Sequence, residues 1–214
     1  MSGPRSDEEP RSSEDASLVD ATRAAIGKPL VIVGVSGASG LVYAADLLAS
    51  LTRQPVEVHL VVSNGAKRVA PTELEGGIAA LSALADVVHK DSDIGASIAS
   101  GSRLVAGMVV VPCSAGTLAK IANGHADSLL TRAAHVTLKE RRKLLLVLRE
   151  APYSRPMLVN MLAANDAGAT IIPASPGFYH QPRSIDDLVG GITARLLDHL
   201  GLPNERVQRW QGGA

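Results

Sequence analysis

Two short turns carry the residues best suited to hold an anion. Gly34-Val35-Ser36-Gly37-Ala38-Ser39-Gly40 follows an apolar run and precedes a helical pattern, and so does Pro112-Cys113-Ser114-Ala115-Gly116-Thr117. Where a strand ends and a helix begins, backbone N–H groups converge, glycines let the chain approach a phosphate, and hydroxyls add donors. Ser36, Ser39, Ser114 and Thr117 equally suit simple N-caps, and either turn alone leaves both roles open. A dinucleotide fingerprint would put glycine where Ser36 and Ser39 stand. It would also end the second apolar run on an acidic residue, but that run ends Val61-Val62-Ser63-Asn64, and no Gly-Lys-Ser/Thr is present. A mononucleotide is therefore preferred over a dinucleotide or a P-loop ligand.

Charged and phenolic side chains accompany the turns. Arg132, His135 and Lys139 are spaced by three and four, which puts them on one face of a helix expected over 128–140. That face suits a solvated basic surface as well as an anion site, and Arg141 and Arg142 suit surface or subunit contacts. Glu150 ends an apolar run at the same sheet edge as the turns, where it would handle protons, orient a ring edge or cap a helix. Tyr179 lies in Phe178-Tyr179-His180 behind Pro176 and Gly177, placed to bind phosphate or to pack on the sheet edge.

The elements that must position these groups are legible as apolar runs without alternation, at 30–35, 56–62, 108–112, 144–148 and 170–173, the signature of strands buried on both faces. Helical patterns separate or follow them at 41–51, 116–122, 128–140, 156–167 and 185–200. Strand and helix in alternation imply an α/β fold: a three-layer, Rossmann-like open parallel sheet with helices on both faces. Residues 72–88 suggest a helix followed by a short strand, and 91–102, rich in Ser, Gly and Ala, a mobile loop.

Composition agrees with a single α/β domain. The hydrophobic fraction is 46%, but the aromatic side chains are one Trp, three Tyr and one Phe, so Val, Leu, Ile and Ala must build the core. Lys plus Arg and Asp plus Glu are 21 each, which removes a global electrostatic case for nucleic acid or an anionic membrane. No apolar stretch approaches the ~18 residues of a membrane span. The one cysteine, Cys113, cannot form an internal disulfide, in keeping with a cytoplasmic location. The expected organisation is a disordered tail over 1–28, one domain over 29–204 and a C-terminal tail over 205–214.

Taken together, Gly37-Ala38-Ser39-Gly40, Pro112-Cys113-Ser114, Arg132-Ala133-Ala134, Thr137-Leu138-Lys139-Glu140-Arg141-Arg142, Arg149-Glu150-Ala151-Pro152, Asn160-Met161-Leu162 and Pro176-Gly177-Phe178-Tyr179-His180-Gln181-Pro182 resemble the UbiX-type flavin prenyltransferases in order and spacing. The resemblance covers about residues 29–212. It implies that reduced FMN is bound and alkylated at N5 and C6 by a dimethylallyl group from dimethylallyl monophosphate, without a metal. The product would be prenylated FMN, delivered to a partner decarboxylase. By the same resemblance, Gly37, Ala38, Ser39, Ser63, Ser114, Thr117 and Arg149 bind the flavin. Lys139, Tyr179 and Arg195 bind the donor phosphate, with Arg132 from a neighbouring subunit of a homo-dodecamer with shared active sites. Ser39, Glu73, Lys139 and Glu150 are the implied catalytic set. The chain has Val159 where relatives commonly carry glutamate, and no aromatic near Ile94. Two alternatives remain at this point: an FMN-dependent cysteine decarboxylase, and a non-catalytic flavin-binding regulatory subunit.

Overall fold

Short apolar runs with no polar face suit strands covered on both sides. In the computed structural model, which describes residues 27–206 and Gly212, they form β1 (Leu30–Val35), β2 (Glu57–Val62), β4 (Gly107–Cys113), β5 (Lys143–Leu148) and β6 (Thr170–Pro173), joined by β3 (Val87–Lys90). All pairings are parallel, in the order β3-β2-β1-β4-β5-β6. The helices are α1 (Leu41–Leu51), α2 (Asn64–Glu73), α3 (Gly77–Ser82), α4 (Ala115–Ala122), α5 (Leu129–Lys139), α6 (Arg155–Asp166) and α7 (Ile185–Leu200).

Alternate strand residues feed two cores. Val31, Val33, Leu60, Val109 and Leu145 pack with α1, α2 and α7, whereas Ile32, Val61, Met108, Val110 and Leu146 pack with α4, α5 and α6. The α1 stripe Leu41, Leu47, Leu48 and Leu51 is wholly buried, and truncating any one of them to Ala should cost about 2–5 kcal/mol. Helices α5 and α7 therefore lie on opposite faces of the sheet.

Two segments differ from the sequence reading. Helix α2 was not expected, because NGAKRVAPTE buries only Ala66 and Ala70 and carries Pro71 inside the helix, leaving no apolar periodicity to read. The 91–102 segment, expected to be a mobile loop, is anchored. It contains a 3-10 turn, Ser97–Ala99, and buries Ile98 and Ala99 in the α5-side core. Arg142 donates to the carbonyls of Arg103 (2.7 Å) and Gly101 (2.8 Å), pinning its end. Ile98 and Ala99 anchor the segment, while Ser92, Gly95, Ser97, Ser100 and Ser102 stay exposed. The expected tail over 1–28 lies outside the described residues except for Gly27 and Lys28, as does most of that over 205–214. Arg206 reaches Asp46 and Ser50 of α1 at 2.6 Å each.

Candidate active site

The connection changes direction between β1 and β4, which are sheet neighbours although β2 and β3 intervene in sequence, so a crevice opens at their carboxyl ends. Both sequence-marked turns meet there. Ser36, fully buried, donates its hydroxyl to the Pro112 carbonyl (2.9 Å) and accepts from the Ser114 N–H (2.7 Å). Its own N–H also donates to the Pro112 carbonyl (3.2 Å). Ser36 thus ties the two turns together, and is neither an N-cap nor a group facing a ligand.

Three helices begin around the crevice, each for a local reason. Ser63 caps α2 by accepting from the Ala66 N–H (3.1 Å), and Ser114 caps α4 by accepting from the Thr117 N–H (3.2 Å). Helix α5 starts on a Ser128/Thr131 capping box, and Asp91 takes the Leu129 N–H on its carbonyl (2.7 Å) and the Leu130 N–H on its carboxylate (2.9 Å). Gly37 makes the approach possible: a Cβ there would lie 2.7 Å from the Gly65 Cα, backbone against backbone. What remains is a cleft of about 400 Å³ lined by the hydroxyls of Ser63, Ser114, Thr117, Ser128 and Thr131, with Lys120 at its side. The first N–H groups of a helix have no intrahelical acceptor, and hydroxyls both donate and accept. A phosphate on a polyol tail fits this donor set.

The N-terminus of α1 is filled differently. Gly40, at φ 103°, and Leu41 donate their N–H groups to the Glu73 carboxylate at 2.7 and 2.9 Å. Burial alone would raise the Glu73 pKa. The Ser39 hydroxyl, the two amides and the nearby Arg149 outweigh it and hold the carboxyl below its usual range. Arg149 in turn donates to the Ser39 carbonyl (3.0 Å). The anion seated on α1 is therefore the protein's own, and its effect is to aim the Ser39 hydroxyl. Cys113, at the end of β4, is fully buried, and burial drives its thiol far above the normal range, so it is inert as a nucleophile.

One protomer brings together only part of the expected set. Gly37, Ala38, Ser39, Ser63, Glu73, Ser114, Thr117 and Arg149 gather at the carboxyl edge. Glu150 follows β5 at that edge, exposed, with its carboxylate accepting from the Ala151 N–H (3.2 Å). Arg132 and Lys139 are exposed along α5 as their spacing required, Arg132 donating to the Ala99 carbonyl (3.4 Å). Lys139 closes α5 roughly 15 Å below its first turn, beside Glu140, with which it is ion-paired, and Gly101. Arg195 is exposed on α7, one turn beyond Gly191. His180 packs against Gly191, with Tyr179 edge-on to its ring at 5.3 Å.

The sheet lies between Lys139 and Arg195 within a protomer. Lys139 and Arg132 share α5, on the face of the sheet opposite Arg195. Ile94 and Val159 are both exposed, Val159 beside Leu158 and Leu162 on α6. Sequence reading missed Ser36 as a tie, Asp91 as the anchor of α5 and Lys120 as a cleft residue. The Ser128–Thr131 spacing was a usable sign that α5 begins at the site.

A family model described as Flavoprotein matches residues 20–196. The chain is 60% identical over 185 residues to the flavin prenyltransferase UbiX of Deinococcus radiodurans, covering 86% of this chain and 95% of that protein. It is similar to the crystal structure of AnUbiX in complex with FMN and dimethylallyl pyrophosphate, at 42% identity and TM-score 0.85 over 87% of this chain and 100% of that one. A dodecameric FMN-dependent UbiX-like decarboxylase from Escherichia coli O157:H7 matches at 46% identity and TM-score 0.83, over 86% of this chain and 100% of that one. Among the described residues no helix is long and apolar enough to cross a membrane.

Proposed function

The chain belongs to the flavoprotein family and, within it, to the UbiX-type flavin prenyltransferases, and on that premise we propose that it transfers a dimethylallyl group from dimethylallyl monophosphate to N5 and C6 of reduced FMN. The product, prenylated FMN, goes to a partner decarboxylase. The observation that carries this reading is the 60% identity to a flavin prenyltransferase over 95% of that relative's length. It favours prenyl transfer over cysteine decarboxylation or a purely flavin-holding role.

The residues present suit the flavin. Ser63, Ser114 and Thr117 hold the phosphate and polyol end in the hydroxyl-lined cleft, and Gly37 leaves the room that a methyl group would fill. Arg149 and the Ala38-Ser39 backbone flank the ring end. Reduced FMN, when bound, would supply two nucleophiles: N5 would displace the donor phosphate from the allylic carbon, and C6 would then close onto the remaining double bond, which takes up a proton as C6 loses one.

The protein's contribution is to position the donor and hold its leaving group. A departing phosphate needs cations and hydrogen bonds, which Lys139, Tyr179, Arg195 and Arg132 provide. Since α5 and α7 cover opposite faces of one sheet, these four groups meet only where subunits meet, in keeping with a homo-dodecamer with shared active sites. Glu73 holds the Ser39 hydroxyl toward the reacting end, and exposed Glu150 exchanges protons there with solvent. A reduced flavin substrate and an unpaired thiol fit a cytoplasmic enzyme.

The test is anaerobic incubation of the protein with reduced FMN and either dimethylallyl monophosphate or the pyrophosphate, followed by mass analysis of the released flavin. Gain of one five-carbon unit is expected with the monophosphate. Flavin recovered unchanged with both donors overturns the assignment.

A further inference from the structure

Among the residues lining the hydroxyl-rich cleft, Lys120 is the one cation. It stands on α4 one turn beyond Gly116, whose missing side chain leaves open space above it, so its four-carbon stem has a clear path along the helix surface. In this structure its ammonium pairs with the Asp127 carboxylate at 2.7 Å, just before α5 begins. Both partners are about half exposed, with side-chain accessibilities of 47% and 59%. Such half-exposed pairs are weak, so exchanging the partner costs little.

A phosphate in the cleft carries close to two negative charges. Helix starts and hydroxyls solvate it without neutralising it, and the Asp91 carboxylate lining the same cleft adds repulsion. We propose that Lys120 is the counter-cation of the flavin's 5′-phosphate, and that Asp127 competes with that phosphate for it, setting an affinity low enough for the prenylated product to leave. This rests on the reading of the chain as an FMN-alkylating enzyme, in which the flavin is a substrate and must be released on every turnover. The bond between Lys120 and Asp127 serves that cycle: the ammonium has a partner to return to when the phosphate departs. The Lys120 ammonium, bonded to Asp127, already holds that carboxyl below its usual range, as a partner able to recapture the lysine must be.

The test uses the full chain and two probes that differ only in the phosphate, oxidised FMN and riboflavin, titrated by flavin fluorescence. Lys120→Ala should weaken FMN roughly tenfold, the size of one partly exposed charge-assisted contact. Riboflavin binding and the melting temperature should be unchanged. Asp127→Asn should tighten FMN by about threefold, by removing the competitor. An FMN affinity in Lys120→Ala within about twofold of the parent overturns the proposal. So does an equal loss for riboflavin, which would make Lys120 a support for α4 rather than a phosphate ligand. An unaltered affinity in Asp127→Asn removes the competition. Failure of the unmutated chain to bind FMN at all would instead remove the underlying enzymatic reading.

Discussion

Replacing Gly37 by alanine tests whether the cleft depends on the contact between its two glycines. The backbone at Gly37 is not left-handed, so alanine meets no conformational penalty there; the cost is contact alone. The new Cβ would sit 2.7 Å from the Gly65 Cα and 2.8 Å from its carbonyl carbon, where ordinary contact begins at 3.4 Å. Both obstacles are backbone, so no rotamer change relieves them. The β1–α1 turn and the start of α2 must separate by roughly 0.7 Å, an overpacking that costs about 1–3 kcal/mol.

At this chain length each kcal/mol lowers the melting temperature by about 2–4 °C, so a fall of roughly 2–12 °C is expected. The same displacement moves Ser63 away from Ser114 across the cleft, and FMN affinity should fall about tenfold with the loss of one or two hydrogen bonds. Gly116→Ala is the internal control. A Cβ there meets nothing within 4 Å. Because Gly116 lies in the first turn of α4, the alanine should leave stability unchanged or raise it by about 0.5–1 kcal/mol. Thermal melting of both variants and flavin titration of Gly37→Ala decide the matter; Gly116 lines the cleft, so its variant is a control for stability alone. A Gly37→Ala protein that melts within about 1 °C of the parent and binds FMN equally well would refute the steric reasoning.

Three further outcomes are expected. Ser36→Ala leaves the Ser114 N–H without its acceptor and unties the two turns, costing about 1–3 kcal/mol in denaturant unfolding; an unchanged midpoint would show the tie to be dispensable. The Glu73 carboxyl is held below its usual range in the folded protein, so its contribution is complete above its unfolded pKa and is lost as pH falls through the folded value. Glu73→Gln should therefore flatten the acid side of a melting-temperature profile, and a variant with the parent's acid slope would contradict that. Lys139→Ala should bind FMN normally but lose prenyl transfer, because Lys139 stands at the far end of α5 from its own cleft; undiminished product in the mass assay removes it from the reaction.

The sheet was legible because most of its strands are unbroken apolar runs; β2 departs from this only at Glu57 and the buried His59 that bonds it. At β1 and β6 the apolar run and the strand coincide, and the parallel order followed from alternation with helices. The turns were legible as anion sites because glycine and serine sit where helix starts need them. Ser36 was not separable from Ser39 by sequence, since both are serines in one turn. Burial makes one a structural tie and leaves the other aimed by Glu73, and burial depends on how β4 packs alongside β1. Helix α2 escaped notice because Ala66 and Ala70 make a contact stripe too small to stand out against Lys67, Arg68 and Pro71. The division of Lys139 and Arg195 between two faces was out of reach, because each residue's periodicity reports only its own helix.

That division has a consequence for inheritance of damage. If one phosphate is gripped by Lys139 from one subunit and Arg195 from another, a defective chain harms sites it does not itself house, and an intact chain can lend a missing group to a defective neighbour. Chains carrying Lys139→Ala and chains carrying Arg195→Ala, each inactive alone, should regain prenyl transfer when dissociated and reassembled together. In a random equal mixture roughly a quarter of the sites draw both groups from chains that still possess them.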